Sequence, residues 1–158
     1  IYRGKSFGSF FREAQKKFDK PVLITEFGCD RYDAFLEKEE QAIQAEFIEA
    51  QLKEIQKNTF IGNGVGNSIG CFVFEWTDEW WKFKEDEADR WGIHDTIATW
   101  SNGAYYFDIK APQNLNINEE WWGMCSLEKK KAGLLDERIP TQAYFKLKEL
   151  WKQSMMKP

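Results

Sequence analysis

Residues 21–28 read PVLITEFG: a proline, three consecutive apolar residues, then threonine, glutamate, phenylalanine and a glycine that ends the run. An apolar stretch this short, bounded by Pro21 and Gly28, reads as a buried strand over 21–27. Glu26 at its end is the anomaly. Burying an unpaired charge is expensive, so a carboxylate carried to the top of such a strand is either paired or used.

Working outward, residues 6–19 read as a helix, with Ser6 as N-cap and Phe7, Phe10, Phe11, Ala14 and Phe18 at helical spacing. Residues 37–58 form the clearest helical pattern, with Ile43, Phe47, Ala50 and Ile55 in its apolar stripe and Glu and Lys on the other face. The stretch GNGVGNSIG, 62–70, is a Gly/Asn loop. A second strand follows at 70–76, GCFVFEW, again apolar and again ending in charge and aromatics. Residues 77–139 show little periodicity and are rich in Asp, Asn, Trp and Gly. Residues 140–153, PTQAYFKLKELWKQ, start at Pro140 and place Ala143, Tyr144, Leu147, Leu150 and Trp151 at helical intervals.

Two fully apolar strands separated by a long helix imply a parallel sheet covered on its faces. The first strand ends in Glu26 and Phe27 with Asp30 just beyond, the second in Glu75 and Trp76 with Asp78 just beyond, and α/β folds place their ligand sites at that C-terminal edge. The unpatterned stretch that follows is long for a compact domain, which is usual for a functional loop. Two parallel strands do not make a stable sheet by themselves, and a complete (β/α)8 barrel takes about 250 residues. The expected fold class is therefore α/β, the C-terminal portion of a TIM barrel comprising about its last three β/α units. Residues 1–158 are then one segment of a single domain. Its remaining strands would lie N-terminal to Ile1 or on another chain.

Composition excludes several function classes. The net charge of −4, with no cluster of Lys and Arg beyond the triplet 129–131, argues against a nucleic-acid surface. Cys29, Cys71 and Cys125 lack CxxC spacing and leave one thiol over in any disulfide scheme, so neither a zinc site nor a disulfide framework is expected. The redox compartment stays open. No apolar run approaches the ~20 residues of a membrane helix. No Gly-rich phosphate loop between a strand and a helix and no metal-ligand cluster appears, and no cofactor is expected.

What the residues do offer is carbohydrate chemistry. Strand alternation puts Val22, Ile24 and Glu26 on one face, and Phe72, Phe74 and Trp76 on one face of the next strand. A carboxylate at a strand top can attack or stabilise a positively charged anomeric carbon, and an aromatic face packs on the C–H groups of a pyranose. Retaining glycosidases need two carboxyls ~5–5.5 Å apart, one nucleophile and one acid/base.

Four pieces in order carry a resemblance over nearly the whole chain. KPVLITEFG resembles the seventh barrel strand of the clan A glycoside hydrolases, where a nucleophilic glutamate ends the strand. GCFVFEWTDEWW is similar to the eighth strand of the family-2-like members, which typically reads Gly-Gly-Phe-apolar-Trp-Asp-Trp-x-Asp. WWGMCSLEKK and RIPTQAYFKLKELW resemble their ending. IYRG at the start is similar to the end of their sixth strand, where a tyrosine commonly hydrogen-bonds the nucleophile.

The resemblance implies Glu26 as nucleophile and Tyr2 as the tyrosine that positions it. Phe74 stands where the pattern has its sugar-platform tryptophan and Trp76 where its second tryptophan stands, so either aromatic is open as the platform. Asp78, Glu79, Trp80 and Trp81 would line the rim, binding sugar or packing the long loop. The family's general acid ends the fourth strand, typically as Asn-Glu, and no position here matches it. NEEWW, 118–122, has the letters but follows the eighth strand, so the role does not transfer. Plainer readings stand beside these: Glu26 as a structural salt-bridge partner, Glu75 as a residue pointing away from the barrel axis, and His94 as a loop residue without a role.

The implied activity is a retaining β-glycoside hydrolase or transglycosylase acting on O-glycosyl bonds of a β-linked oligo- or polysaccharide. Its partners would be the carbohydrate and the N-terminal remainder of the barrel, with no nucleic acid and no membrane span. Localisation is open, with the glycosidase reading pointing outside the cell or to its surface. The rival class is a non-catalytic glycosidase-like barrel, kept as a carbohydrate-binding or structural subunit of an assembly.

Overall fold

The computed structural model describes residues 6–33, 36–79, 96, 119–128, 130 and 134–155. Helix α1 (Phe10–Phe18) begins one turn later than the apolar spacing suggests, because Ser9 and not Ser6 is its N-cap residue and donates its hydroxyl to Glu13. Ser6 instead accepts the amide of Gly8 at 2.8 Å. Asp19 closes the helix in the left-handed conformation (φ 50°), donating its N–H to the carbonyl of Gln15 at 3.0 Å.

Strand β1 (Val22–Phe27) follows, then a short antiparallel pair, β2 (Tyr32–Asp33) with β3 (Lys38–Glu39). Helix α2 (Gln41–Lys57) carries the chain back, and β4 (Ser68–Val73) pairs with β1 in parallel, as two apolar strands joined through a helix require. The second strand lies two to three residues earlier than expected. Pairing starts where Val22 N–H bonds the carbonyl of Asn67 at 2.8 Å, and the chain leaves the ladder after Phe74 N–H reaches the carbonyl of Phe27 at 2.8 Å.

A 3-10 turn (Glu119–Trp121) leads into β5 (Cys125–Glu128), which pairs antiparallel with β6 (Glu137–Pro140). This hairpin lies in the stretch where the sequence shows no period. Pro140 therefore ends a strand instead of opening a helix. Helix α3 (Gln142–Met155) starts behind Thr141, whose hydroxyl receives the amide of Tyr144 at 3.4 Å and donates to the carbonyl of Met124 at 2.9 Å.

The core joins Phe11, Ile24 and Phe27, the α2 stripe Ala45, Ile48, Leu52 and Ile55, then Met124 and the α3 residues Ala143, Leu147 and Leu150. The buried stripe of α2 is offset from the expected Ile43, Phe47 and Ala50, which are half-buried. Two glutamines, Gln44 and Gln51, share that stripe, so an apolar template slides off it. The opposite side of the parallel pair stays open: Leu23 and Phe72 are 42% and 63% exposed.

One expectation about the strand faces is corrected. Ile24 is buried, but its partner in the core is Phe27, and both Thr25 and Glu26 are exposed. The register slips between Ile24 and Phe27, so simple alternation does not carry from Ile24 to Glu26.

Candidate functional site

The frame of the site is an ion pair at the ends of the two parallel strands. Arg31, four residues past β1, and Asp78, five past β4, are both fully buried. Arg31 donates Nη1 to Asp78 Oδ1 at 2.6 Å and Nη2 to Oδ2 at 2.5 Å, a bidentate fork. Nη1 also reaches the carbonyl of Trp121 at 3.0 Å, and Nε reaches Glu39 at 3.4 Å. Burial lowers the pKa of Arg31, but its hydrogen bond to Asp78 and the charges of Asp78 and Glu39 outweigh this and raise it overall. The cation is locked in its charged form.

The same pair gathers the 119–125 segment over the strand ends. Gly123 N–H donates to Asp78 Oδ1 at 3.0 Å, and Arg31 N–H donates to the carbonyl of Trp121 at 3.2 Å. Trp121 stacks on Tyr32 with ring centroids 4.6 Å apart, and the Arg31 guanidinium lies 5.2 Å from its ring centre. Gln44 of α2 donates to the carbonyls of Cys29 and Trp122, each at 3.1 Å. Three chain segments far apart in sequence are thereby fixed to one another.

Beneath this frame lies a pocket of about 210 Å³. Glu26 and Gly28 come to it from the end of β1, Phe74 from just past β4, and Glu119 and Trp122 from the gathered segment. Phe47 and Gln51 of α2 also line it. Glu26 is exposed and makes no hydrogen bond or ion pair among the described residues. Phe74 and Trp122 meet edge to face at 6.0 Å. Gly28 is required here: a Cβ would stand 1.8 Å from the carbonyl oxygen of Phe74 and 3.0 Å from Cε3 of Trp122.

The pocket brings together Glu26 and Phe74 and separates them from two other expected residues. Trp76 is 58% exposed and lines a different groove, with Tyr144, Leu147 and Trp151 of α3, meeting Tyr144 at 5.9 Å. Strand β4 ends at Val73, so strand alternation does not hold Phe74 and Trp76 on one side. Asp78, expected at a sugar-binding rim, is 0% exposed with both carboxylate oxygens engaged; its place is in the frame. Glu75 is half-buried, and its carbonyl receives the amide of Met124 at 2.8 Å. Tyr2, Trp80, Trp81 and His94 lie outside the described residues.

Sequence reasoning passed over Arg31, Trp122 and Glu119 as site residues. Arg31 is 47 residues from Asp78 and 90 from Trp121, and no local period links such partners. NEEWW offered the only signal, carboxylates beside aromatics in an otherwise unpatterned stretch.

Burial raises the thiol pKa of Cys71 and of Cys125, holding both protonated at neutral pH. Among the described residues, no three His, Cys, Asp or Glu side chains group so as to hold a metal, and no helix is long and apolar enough to cross a membrane. Against protein-family models, curated proteins and solved structures, the chain has no match.

Proposed function

We propose that this chain is the C-terminal portion of a TIM-barrel glycosidase, a retaining β-glycoside hydrolase or transglycosylase with Glu26 as its nucleophile. One observation carries the reading. Glu26 stands exposed at the C-terminal end of a parallel strand, in an aromatic-lined pocket, and among the described residues no partner consumes its charge. A strand-end carboxylate kept for structure would be paired, as Asp78 is.

In this reading Glu26 attacks the anomeric carbon while an acid from elsewhere in the barrel protonates the leaving oxygen. The glycosyl–Glu26 ester then yields to water, giving hydrolysis, or to a sugar hydroxyl, giving transfer. Tyr2 would orient the carboxylate through one hydrogen bond, and Trp80 and Trp81 would extend the sugar-binding rim. The barrel part of the proposal draws support from the open side of the parallel pair. Leu23 and Phe72 share an exposed apolar face suited to the inward side chains of neighbouring strands. Expressed alone, residues 1–158 should bind a hydrophobic dye and aggregate. A cooperative thermal transition of a soluble monomer would count against the missing strands.

The chemical test uses the full-length protein and a panel of 2-deoxy-2-fluoro-β-glycosyl fluorides, with peptide mapping of the label. Label on the 21–28 peptide, absent from Glu26→Gln, supports the assignment. Label on another peptide, or full turnover by Glu26→Gln, ends it. A wild-type protein that binds oligosaccharide yet takes no label supports the non-catalytic barrel instead.

A further inference from the structure

Resting on the glycoside reading of the Glu26 pocket, we infer that Trp122, a residue of the segment after the 3-10 turn, is the pocket's sugar platform, and that Trp76 is not. The sequence resemblance points to the end of the second strand for this role. The structure sends its tryptophan away: Trp76 lies against α3 in a separate groove. Trp122 instead lines the pocket with Glu26 and meets the edge of Phe74.

A platform needs a ring held in place before the ligand arrives. Trp122 is held from both sides of its backbone. Its N–H bonds the carbonyl of Glu119 at 3.0 Å, and its carbonyl receives Gln44 Nε2 at 3.1 Å. The next residue, Gly123, is pinned to Asp78. The ring packs over Gly28, where only a glycine leaves it room.

The indole nitrogen distinguishes this ring from an ordinary structural tryptophan. A buried Trp usually finds a partner for its N–H, yet Nε1 of Trp122 is buried with none among the described residues. Among the described residues packing alone therefore orients the ring, and its contribution to the pocket is an apolar aromatic surface. A ring acting through its surface is replaceable by another ring and not by an aliphatic side chain of similar bulk.

The experiment measures cellopentaose and laminaripentaose binding by calorimetry in full-length protein carrying Glu26→Gln to prevent turnover. Fluoroglycoside labelling is run in parallel with Glu26 intact. Trp122→Phe should bind within about twofold of the parent and Trp122→Leu should weaken binding about tenfold or more, since an aromatic contact adds to simple area burial. Trp76→Ala should leave affinity unchanged. A thermal melt confirms that each variant is folded, and Trp122→Leu keeps apolar volume for that purpose. Unchanged affinity in folded Trp122→Leu, or loss confined to Trp76→Ala, overturns the platform even where Glu26 still labels. Trp122-dependent binding without any label keeps the platform and removes the enzyme. Absence of binding by the parent overturns both.

Discussion

Two carboxylates stand at the ends of neighbouring parallel strands, and the protein treats them in opposite ways. Asp78 is wholly buried, with Arg31 on both oxygens and the amide of Gly123 on one. Glu26 is exposed, in a pocket walled by Phe74 and Trp122, and among the described residues it engages no hydrogen bond or ion pair. The same functional group is thus a fastener at one strand end and an available reagent at the other. What separates them is the cation: Arg31 reaches Asp78 and Glu39, and none of the described residues lining the pocket is a lysine or arginine.

The largest expected effect falls on activity. Glu26→Gln keeps the shape of the side chain and removes its nucleophilicity, so full-length protein should lose at least about three orders of magnitude in kcat, roughly 4 kcal/mol of barrier. Steady-state turnover of an aryl β-glycoside that the wild-type protein cleaves measures it. Activity within tenfold of wild type would erase the contrast between the two carboxylates.

The next effect falls on stability. Asp78→Asn leaves buried Arg31 with only the more distant Glu39 as counter-charge, and breaking one side of a buried pair costs about 3–5 kcal/mol. Urea denaturation of the full-length protein should report that loss, and restoring Asp at 78 should recover it. Because the pair also gathers Trp121 and Gly123, the same variant should loosen the pocket and weaken oligosaccharide binding. A change below about 1 kcal/mol would show that the frame is redundant.

A smaller loss is expected between the two regions. In Gly28→Ala the new methyl meets the carbonyl of Phe74, a backbone atom that cannot rotate away. The strand ends must separate, straining the bond from Phe74 N–H to the carbonyl of Phe27. Overpacking of this kind costs about 1–3 kcal/mol. Labelling of Glu26 should slow as well, since Gly28 lies under the ring of Trp122; an unaltered melt and label rate would mean that the contact relaxes freely.

Much of the scaffold was legible in the residues. Pro21 and Gly28 bound a strand, the Glu and Lys of 37–58 mark a helix face, and two apolar strands with a helix between them pair in parallel. The finer placement was not. Gln44 and Gln51 occupy the buried face of α2, Gln44 by bonding backbone carbonyls, and no hydrophobic template anticipates buried amides. Alternation misassigned Ile24 and Glu26 to one face because the register slips between Ile24 and Phe27. The pairing of Arg31 with Asp78, and the arrival of Trp122 beside Glu26, are contacts across 47 and 96 positions of chain. Only tertiary packing brings such residues together.

The smallest effect expected is also the sharpest separation. Glu26→Gln should change the unfolding free energy of the full-length protein by less than about 0.5 kcal/mol, the ordinary range for a surface substitution away from any structural contact. Among the described residues no donor or cation loses a partner when the carboxylate becomes an amide, and the amide oxygen can still accept the hydrogen bond proposed from Tyr2. Together with Asp78→Asn this makes a crossed pair: one carboxylate-to-amide change removes activity and spares stability, and the other lowers stability first. Urea melts of both variants beside their rates decide it. If Glu26→Gln destabilises the protein as Asp78→Asn does, then Glu26 is a second fastener, and the pocket it lines is packing in place of a site.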